Sequence, residues 1–159
     1  TVVSKLFNIT QPDRAYFGQK DAQQALVIRR MVRDLNFPIE IVIMPIVREK
    51  DGLAMSSRNT YLNDEERKAA LVVPKSLRKG KELLQSGERK AEKIIEAVKK
   101  VIETEPLAQI DYVAVRDIET LREVETINGP VLIAVAVWIG KTRLIDNFVW
   151  GDHPCFEKC

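Results

Sequence analysis

The stretch Ile39-Glu40-Ile41-Val42-Ile43-Met44-Pro45-Ile46-Val47 decides the fold class of this chain. The part before the proline is almost continuously apolar, which is typical of a strand buried on both faces of a parallel sheet. A helical spacing of apolar residues precedes it from about residue 20 to Leu35, and Asn36-Phe37-Pro38 ends that helix. A shorter strand is predicted at residues 14–17. This order predicts an α/β fold in which residues 1–47 form the last part of a Rossmann-like parallel sheet.

Residues 48–159 follow a different pattern, which predicts a separate carboxyl-terminal domain. An acidic helix begins after Asn63, a good N-cap residue, and is expected to kink or break at Pro74. An amphipathic helix follows at residues 88–103. The strand-like segments are 110–115, 131–139 and 142–148, and Gly140-Lys141 is a candidate hairpin turn. We therefore predict a small α+β lid domain with an antiparallel sheet.

The loop at the start of this second domain carries side chains suited to a polyphosphate. It opens with Asp51-Gly52 and continues as Met55-Ser56-Ser57-Arg58-Asn59. Arg58 can donate a forked pair of hydrogen bonds, and the serine hydroxyls and nearby backbone N–H groups can bind the remaining oxygens. Ser-Ser-Arg-Asn is also ordinary turn composition. The loop alone therefore leaves two interpretations open, a phosphate site and a plain turn.

A second candidate segment, Phe17-Gly18-Gln19-Lys20-Asp21-Ala22-Gln23-Gln24, joins the first predicted strand to the first long helix. A glycine at the carboxyl end of a strand, followed by the first helical turn, is where open α/β sheets bind ligands. Lys20 supplies a cation for phosphate, Asp21 can accept hydrogen bonds from ribose hydroxyls, and Gln24 shares the helix face of Lys20. The alternative is a surface helix start at which Asp21 favours the positive end of the helix dipole.

The two segments together, in this order and at this separation, resemble the pantothenate synthetase family, also called pantoate–β-alanine ligases. Further matching stretches are Thr1–Asn8, Gln11-Pro12-Asp13, Asp111-Tyr112, Arg116-Asp117 and Thr142–Asn147. The resemblance implies an ATP-dependent amide ligase of the nucleotidyltransferase superfamily. In such an enzyme pantoate attacks the α-phosphate of ATP, pyrophosphate leaves, and the amine of β-alanine then displaces AMP to form pantothenate.

The resemblance also implies roles for individual residues. The expected ATP-binding residues are Gly18, Lys20, Asp21, Val47, Met55, Ser56, Ser57 and Arg58, and Gln24 is expected to bind pantoate. The expected catalytic residues are Lys20, Ser56, Ser57 and Arg58. Together with Mg²⁺ they would stabilise the negative charge that builds on the α-phosphate and on pyrophosphate. Gly18 and Asp21 would hold the ribose, and Val47 and Met55 would border the nucleotide pocket. The loop resembles the KMSKS loop of the superfamily, with Arg58 as its cation.

One feature of the resembled family is absent from these residues, the HxGH-type motif whose histidines contact the ATP phosphates. The only histidine of the 159 residues is His153. We therefore expect the chain to be the carboxyl-terminal portion of a longer ligase, inactive on its own, with a homodimer as its full-length form. The alternative is a non-catalytic binding or interaction module derived from such a ligase. A tRNA-related nucleotidyltransferase fragment is disfavoured, because no RNA-stacking feature accompanies the segment at 17–24.

Composition argues against several other classes of function. Lysine plus arginine (25) nearly balance aspartate plus glutamate (23), so the formal net charge of +2 favours neither nucleic acid nor a membrane surface. The apolar run at 130–140 is too short to span a bilayer, no signal peptide is recognised, and we expect a cytoplasmic protein. His153, Cys155 and Cys159 have a spacing that is not typical of zinc sites, so we predict no metal site there.

Overall fold

The structure, a computed structural model, describes residues 1–156 except for the side chain of Cys155. The helices are α1 (Val2–Thr10), α2 (Ala22–Asp34), α3 (Asp64–Ala69), α4 (Val72–Gln85) and α5 (Ala91–Ile102). The strands are β1 (Arg14–Gly18), β2 (Glu40–Met44), β3 (Ala108–Asp117), β4 (Val131–Ile139) and β5 (Thr142–Trp150). β1 and β2 form a parallel sheet, and β3, β4 and β5 form a separate sheet in that order. The predicted fold class is confirmed. None of the described helices is long and apolar enough to cross a membrane.

The parallel pair begins the chain together with α1 and α2. Its register aligns Arg14 with Glu40 and Gly18 with Met44, so both strands end at the same edge. The helices pack on these strands through a small buried cluster. Its members are Phe7, Ile28, Val32 and Ile39. This arrangement places the turn after β1 at the carboxyl edge of the sheet, where open α/β sheets bind ligands.

The prediction that the second strand is buried on both faces is wrong for the described chain. Within β2 only Ile43 is buried, and Met44 is 40% exposed. Within residues 1–156, β2 hydrogen-bonds to β1 along one edge, and no described strand pairs with its other edge. β2 therefore has more apolar residues than its neighbours in this part of the chain bury.

The antiparallel sheet and two long helices form the larger core. β3 pairs with β4, and β4 pairs with β5 across the tight turn at Gly140-Lys141. Gly140 has a φ of 56°, in the left-handed region that glycine adopts readily. The fully buried side chains between the sheet and α4 and α5 include Leu84, Ile94, Val98 and Ile133. The predicted hairpin and the predicted antiparallel sheet are confirmed.

Local side chains explain where α3 and α4 begin. The Asn63 side chain accepts hydrogen bonds from the N–H groups of Glu65 and Glu66, and the Glu66 carboxylate accepts one from the Asn63 N–H in return. This capping box satisfies donors that the first helical turn would otherwise leave unpaired. The break falls between α3 and α4, which places Pro74 in the first turn of α4, where its missing N–H costs little.

The start of α5 differs from the prediction. The helix begins at Ala91 rather than at Glu88, because the Glu88 carboxylate accepts hydrogen bonds from the N–H groups of Arg89 and Lys90, both at 2.9 Å. The bond from Lys90, followed by the ion pair with Lys93, lowers the pKa of Glu88 to about 2. Glu88 therefore holds the turn that precedes the helix with an ionised carboxylate.

Residues on both sides of the predicted boundary at residue 47 pack against each other. Leu26 of α2 and Ile43 of β2 share a buried cluster with Ile118 and Leu132 from the second part of the chain. The division into residues 1–47 and 48–159 stays a prediction. These apolar contacts join the two parts of the chain.

Candidate functional site

β1 and the turn that follows it bring Lys20 to the candidate site. The strand ends at Gly18, and a 3₁₀ turn at Gln19–Asp21 leads directly into α2. The buried side chain of Asn147 on β5 holds this turn. Its Nδ2 donates to the carbonyl oxygen of Gln19 at 2.9 Å and to that of Lys20 at 3.0 Å. The Lys20 side chain therefore projects from a backbone that is held at two successive carbonyls.

Neither the backbone conformation nor the packing of the chain requires a glycine at position 18. Its backbone is extended, with φ −78° and ψ 134°, a conformation that any residue adopts. A Cβ at this position would meet no atom within 4 Å. A glycine in such a place leaves the backbone open to close approach by another molecule, which is compatible with the ligand role expected for Gly18.

A small hairpin at residues 47–55 precedes the serine-rich segment. The Met55 N–H donates to the Val47 carbonyl at 2.9 Å. Gly52 closes the turn with a φ of 94°, a left-handed conformation that other residues rarely adopt. Leu53 is buried and belongs to the core formed by the antiparallel sheet and its helices. The loop is therefore attached to the larger core rather than standing free of it.

Ser56 caps the short 3₁₀ turn that carries Arg58. The Ser56 Oγ accepts a hydrogen bond from the Arg58 N–H at 3.2 Å, which leaves the hydroxyl proton available for another acceptor. Asn59 ties the same turn to the hairpin, because its Nδ2 donates to Glu49 Oε1 at 2.7 Å and to the Ala54 carbonyl at 3.1 Å. Hydrogen bonds of Ser56 and Asn59 therefore hold the backbone of the turn before and after Arg58.

The two acidic side chains of the hairpin share a single arginine. Arg67 Nη2 lies 2.8 Å from Glu49 Oε2 and 2.6 Å from Asp51 Oδ2. The hydrogen bond from Arg67, followed by the one from Asn59, lowers the pKa of Glu49. Both carboxylates are thus paired with Arg67 and held against the hairpin, where they oppose an anionic ligand less than unpaired carboxylates would.

Side chains from three parts of the chain line one small cavity. The lining includes Lys20 from the turn after β1, Ser56 and Arg58 from the loop, and Arg143 and Asp146 from β5. Among residues 1–156, neither Lys20 nor Arg58 forms an ion pair with a carboxylate. An anionic ligand would therefore meet two unpaired cations and a serine hydroxyl in one place.

A wider cleft of 610 Å³ shares part of this lining. Its lining residues are Asp21, Arg58, Tyr61, Trp138, Lys141, Thr142, Arg143 and Ile145. Arg58 and Arg143 line both the cavity and the cleft, so the two spaces adjoin at these arginines. The volume is within the range of small-molecule sites. The aromatic side chains of Tyr61 and Trp138 add flat apolar surface to a rim that is otherwise mostly polar.

Five of the expected site residues line neither of these two spaces. They are Gly18, Gln24, Val47, Met55 and Ser57, and all five are exposed on the described chain. Their expected contacts with ribose, pantoate, adenine and phosphate stay predictions. The cavity and the cleft bring together Lys20, Asp21, Ser56 and Arg58 from the expected set.

The expected site residues do not include those of β5 that contact the two site segments. Asp146, which is 3% exposed, accepts hydrogen bonds from Arg48 Nη1 at 2.7 Å and from Nη2 at 3.0 Å. Arg143 is oriented by Asp111, whose Oδ2 accepts from Nε at 2.8 Å and from Nη2 at 2.7 Å. The stretch Thr142–Asn147 carries part of the family resemblance, so a signal exists, but local sequence does not indicate which loop each side chain reaches.

The described residues contain no group of three or more His, Cys, Asp or Glu side chains that could hold a metal ion. His153 is buried, and its Nε2 lies 2.7 Å from Glu119 Oε1. This hydrogen bond is the main reason why the pKa of Glu119 is lowered. Cys159 and the side chain of Cys155 lie outside the described residues, so the prediction about them stays a prediction.

Comparisons with known proteins agree with the resemblance. Residues 1–149 match the family model described as Pantoate-beta-alanine ligase. The chain is 62% identical over 149 residues to the pantothenate synthetase of Moorella thermoacetica, and 64% identical over 150 residues to that of Clostridium novyi. Each alignment covers 94% of this chain and 53% of the relative. The chain thus spans about half the length of the curated relatives it matches.

Solved structures give the same result. Pantothenate synthetase from Thermus thermophilus matches with a TM-score of 0.87 and 44% identity, over 93% of this chain and 53% of that one. Pantoate-beta-alanine ligase from Francisella tularensis, complexed with Beta-gamma ATP and Beta-alanine, matches with a TM-score of 0.62 and 29% identity, over 93% of this chain and 48% of that one. Since the family model covers nearly the whole chain and the fold agrees, this chain belongs to the pantoate–β-alanine ligase family.

Proposed function

We propose that this chain supplies the carboxyl-terminal part of an ATP-dependent ligase that condenses pantoate with β-alanine. The observation that carries the proposal is the convergence of Lys20, Ser56 and Arg58, from two distant segments, on one cavity of a member of this family. Unpaired cations and a hydroxyl donor that surround one small cavity, beside a cleft of 610 Å³ that Arg58 also lines, suit a triphosphate bound in the cleft. The Francisella tularensis relative, complexed with Beta-gamma ATP and Beta-alanine, supports ATP and β-alanine as ligands.

The proposed reaction has two steps. A carboxylate oxygen of pantoate bonds to the α-phosphorus of ATP, while the bond from that phosphorus to the bridging oxygen of pyrophosphate breaks. The amine nitrogen of β-alanine then bonds to the acyl carbon of pantoyl adenylate and loses a proton, while the acyl C–O bond to AMP breaks. The products are pantothenate, AMP and pyrophosphate.

In the first step we propose that the residues of this chain act mainly by stabilising charge. Negative charge moves onto pyrophosphate as it departs, so a cation beside it stabilises the transition state more than the bound substrate. Lys20 and Arg58 are the unpaired cations of the cavity, and a guanidinium can bind two phosphate oxygens at once. Ser56 retains a hydroxyl proton to donate, and the adjacent Ser57 is proposed as a second hydroxyl donor.

The remaining contacts are proposed from the family resemblance. Asp21 lines the cleft, where its carboxylate can accept hydrogen bonds from ribose hydroxyls, and Gly18 offers the open backbone beside it. Val47 and Met55 are 66% and 54% exposed, so a nucleotide base would cover apolar surface there. Gln24, on the first turn of α2, is proposed to bind pantoate.

Mg²⁺ is proposed to enter with ATP rather than through a site of its own. Such ions are usually held by substrate phosphates, water and one or two carboxylates. The carboxylates of Glu49, Asp51 and Asp146 are already paired with arginines, and no cluster of metal ligands occurs among the described residues. The ion would supply further neutralisation of phosphate charge.

We further propose that activity needs family residues outside the matched half, since the only histidine of this chain is His153 and its Nε2 is engaged with Glu119. We propose that the complete enzyme is a homodimer that acts in the cytoplasm. Both of these proposals rest on the resemblance and on composition.

The proposal is tested by measuring pantothenate formation from pantoate, β-alanine and Mg-ATP. The chain is assayed alone and mixed with the amino-terminal half of the Moorella thermoacetica relative. We expect product in the mixture only. Arg58→Ala should lower the rate roughly a hundredfold, because it removes a charge aimed at the transition state. Arg78→Ala, at an exposed position of α4, is the matched control and should leave the rate unchanged.

Two outcomes would contradict the proposal. A folded mixture that neither forms pantothenate nor binds ATP would support the non-catalytic binding module instead. Activity of the chain alone would contradict the expectation that the family histidines are needed. Circular dichroism of both components distinguishes these outcomes from simple misfolding.

A further inference from the structure

We propose that Asp146 and Asn147 are positioning residues that hold the two phosphate-facing segments in register with each other. This inference rests on the proposed function. Asn147 contacts the turn at 19–21, and Asp146 contacts the hairpin at 47–55 through Arg48. Successive side chains of a strand point to opposite faces, so neighbouring residues of β5 can each hold a different segment.

Asn147 holds the turn that carries Lys20. The residue is 3% exposed, and its amide is occupied on both sides. Nδ2 donates to the carbonyls of Gln19 and Lys20, and Oδ1 accepts from Gln19 Nε2 at 3.3 Å. The two Nδ2 bonds go to backbone, so they constrain the turn itself. Loss of a buried donor of this kind leaves carbonyls unsatisfied, which costs more than an average hydrogen bond contributes.

Asp146 holds the loop through one guanidinium. Besides its two bonds to Asp146, Arg48 donates from Nη1 to the Gly52 carbonyl at 3.1 Å. Arg48 therefore connects both sides of the hairpin at 47–55 to β5. The carboxylate is itself oriented, since Asp146 Oδ1 accepts from the Asn147 N–H at 2.8 Å. The hairpin leads directly into Ser56, so its placement sets the position of the serine-rich turn.

The ion pair between Arg48 and Asp146 also offsets a negative charge in the cavity. Asp146 lines the cavity that contains Lys20 and Arg58, and a lone buried carboxylate there would repel a phosphate. Arg48 neutralises it. Removing Arg48 alone should therefore impair anion binding more than removing both charges.

Amide hydrogen exchange on the folded chain without nucleotide tests the anchoring independently of any reaction. Asn147→Asp keeps the size of the side chain but replaces the donor with a carboxylate. We expect exchange in residues 19–24 to become about tenfold faster, with residues 48–59 unchanged. Asp146→Asn should give the reverse pattern. Asn63→Asp is the matched control, since either side chain can cap α3.

Kinetics in the mixed assay test the functional consequence. Arg48→Met should raise the KM for Mg-ATP about tenfold, because it leaves the Asp146 carboxylate unpaired in the cavity. The double variant Arg48→Met with Asp146→Asn removes the unpaired charge but does not restore the anchor of the hairpin, so it should recover only part of that loss. A pair with a merely structural role would make the double variant no better than the single one.

Two results would overturn the inference. One is unchanged exchange at 19–24 in Asn147→Asp, and the other is faster exchange spread evenly over α4 and α5, which indicates general destabilisation. If Asn147→Asp does not fold, Asn147→Ser adds no charge and carries the same expectation. Segment-specific exchange without any ligase activity would support the anchoring and contradict the proposed function.

Discussion

The two sheets of this molecule bury their residues to very different degrees. In the antiparallel sheet the completely buried residues of β4 include Ile133, Val135, Val137 and Ile139. In the parallel sheet Tyr16 of β1 is 61% exposed, and Ile43 is the buried residue of β2. The candidate site nevertheless takes Lys20 from the turn after the less buried sheet and Arg58 from a loop attached to the larger core. One well-packed sheet can therefore position side chains from both parts of the chain.

The greatest change in the free energy of unfolding is expected when one core residue near each sheet is truncated. Ile94→Ala removes a fully buried side chain of α5, and we expect the free energy of unfolding to fall by about 4 kcal/mol. Ile43→Ala on β2 should cost about 2 kcal/mol, because its less covered surroundings can relax into the space left. Urea denaturation followed by circular dichroism measures both values. Equal losses would mean that the two cores are equally rigid.

A smaller change in the free energy of unfolding is expected when two glycines, Gly80 and Gly18, are replaced with alanine. A Cβ at Gly80 of α4 would lie 3.0 Å from Cγ2 of Val98, which is itself fully buried and cannot easily shift. Gly80→Ala should lower the free energy of unfolding by about 1 kcal/mol, since overpacking outweighs the gain in helix propensity. Gly18→Ala should change it by less than about 0.5 kcal/mol.

Thermal unfolding measures both glycine variants, and ATP titration adds a second comparison. Because a Cβ on Gly18 meets nothing in the chain, its expected effect is confined to ligand binding, which should weaken several-fold. A Gly80→Ala variant that is more stable than the parent would show that α4 and α5 separate readily. A Gly18→Ala variant with unchanged ATP affinity would argue against close approach of the nucleotide.

The least change in stability is expected for substitutions before α5 and α2, and for the first of these it depends on pH. Glu88, before α5, has a pKa of about 2, below the ordinary 4.5. A pKa lowered in the folded state adds stability above the unfolded value and loses it as pH falls toward the folded value. The stability difference between the parent and Glu88→Gln should therefore be full above about pH 5 and vanish near pH 2. Asp21, before α2, makes no side-chain cap hydrogen bond, so Asp21→Asn should change stability less.

Urea unfolding at several pH values measures this last pair. A difference that persists unchanged at low pH would mean that the hydrogen bonds at Glu88 do not need a charged acceptor. A larger effect of Asp21→Asn would contradict the contrast between the two helix starts.

Elements with strong local signals could be predicted from the sequence. The bounds of β4, Val131–Ile139, agree with the prediction to the residue, because an apolar run lies between Pro130 and Gly140. The start of α3 also follows from a local signal, because Asn63 caps the N–H groups of Glu65 and Glu66 just after it. The predicted start of α5 at Glu88 is three residues too early, since the hydrogen bonds of the Glu88 carboxylate to the Arg89 and Lys90 N–H groups depend on backbone geometry that periodicity does not describe.

The candidate site was only partly predictable. Lys20, Ser56 and Arg58 have side chains that suit phosphate, and their segments resemble a family, so residue type and order sufficed to select them. The bond between Arg48 and Asp146 joins residues 98 positions apart. No local pattern indicates such a partner, because it depends on how the hairpin docks on β5.

The family, the order of helices and strands, and the residue types that suit a phosphate ligand follow from the amino-acid sequence alone. These properties depend on periodicity, turn chemistry and side-chain charge along short segments. Three features follow from tertiary packing instead: β2 buries Ile43 alone, Arg143 and Trp138 line the cleft, and Asp146 and Asn147 contact two distant segments. Contacts between residues far apart in sequence depend on packing of whole elements, which local patterns do not specify.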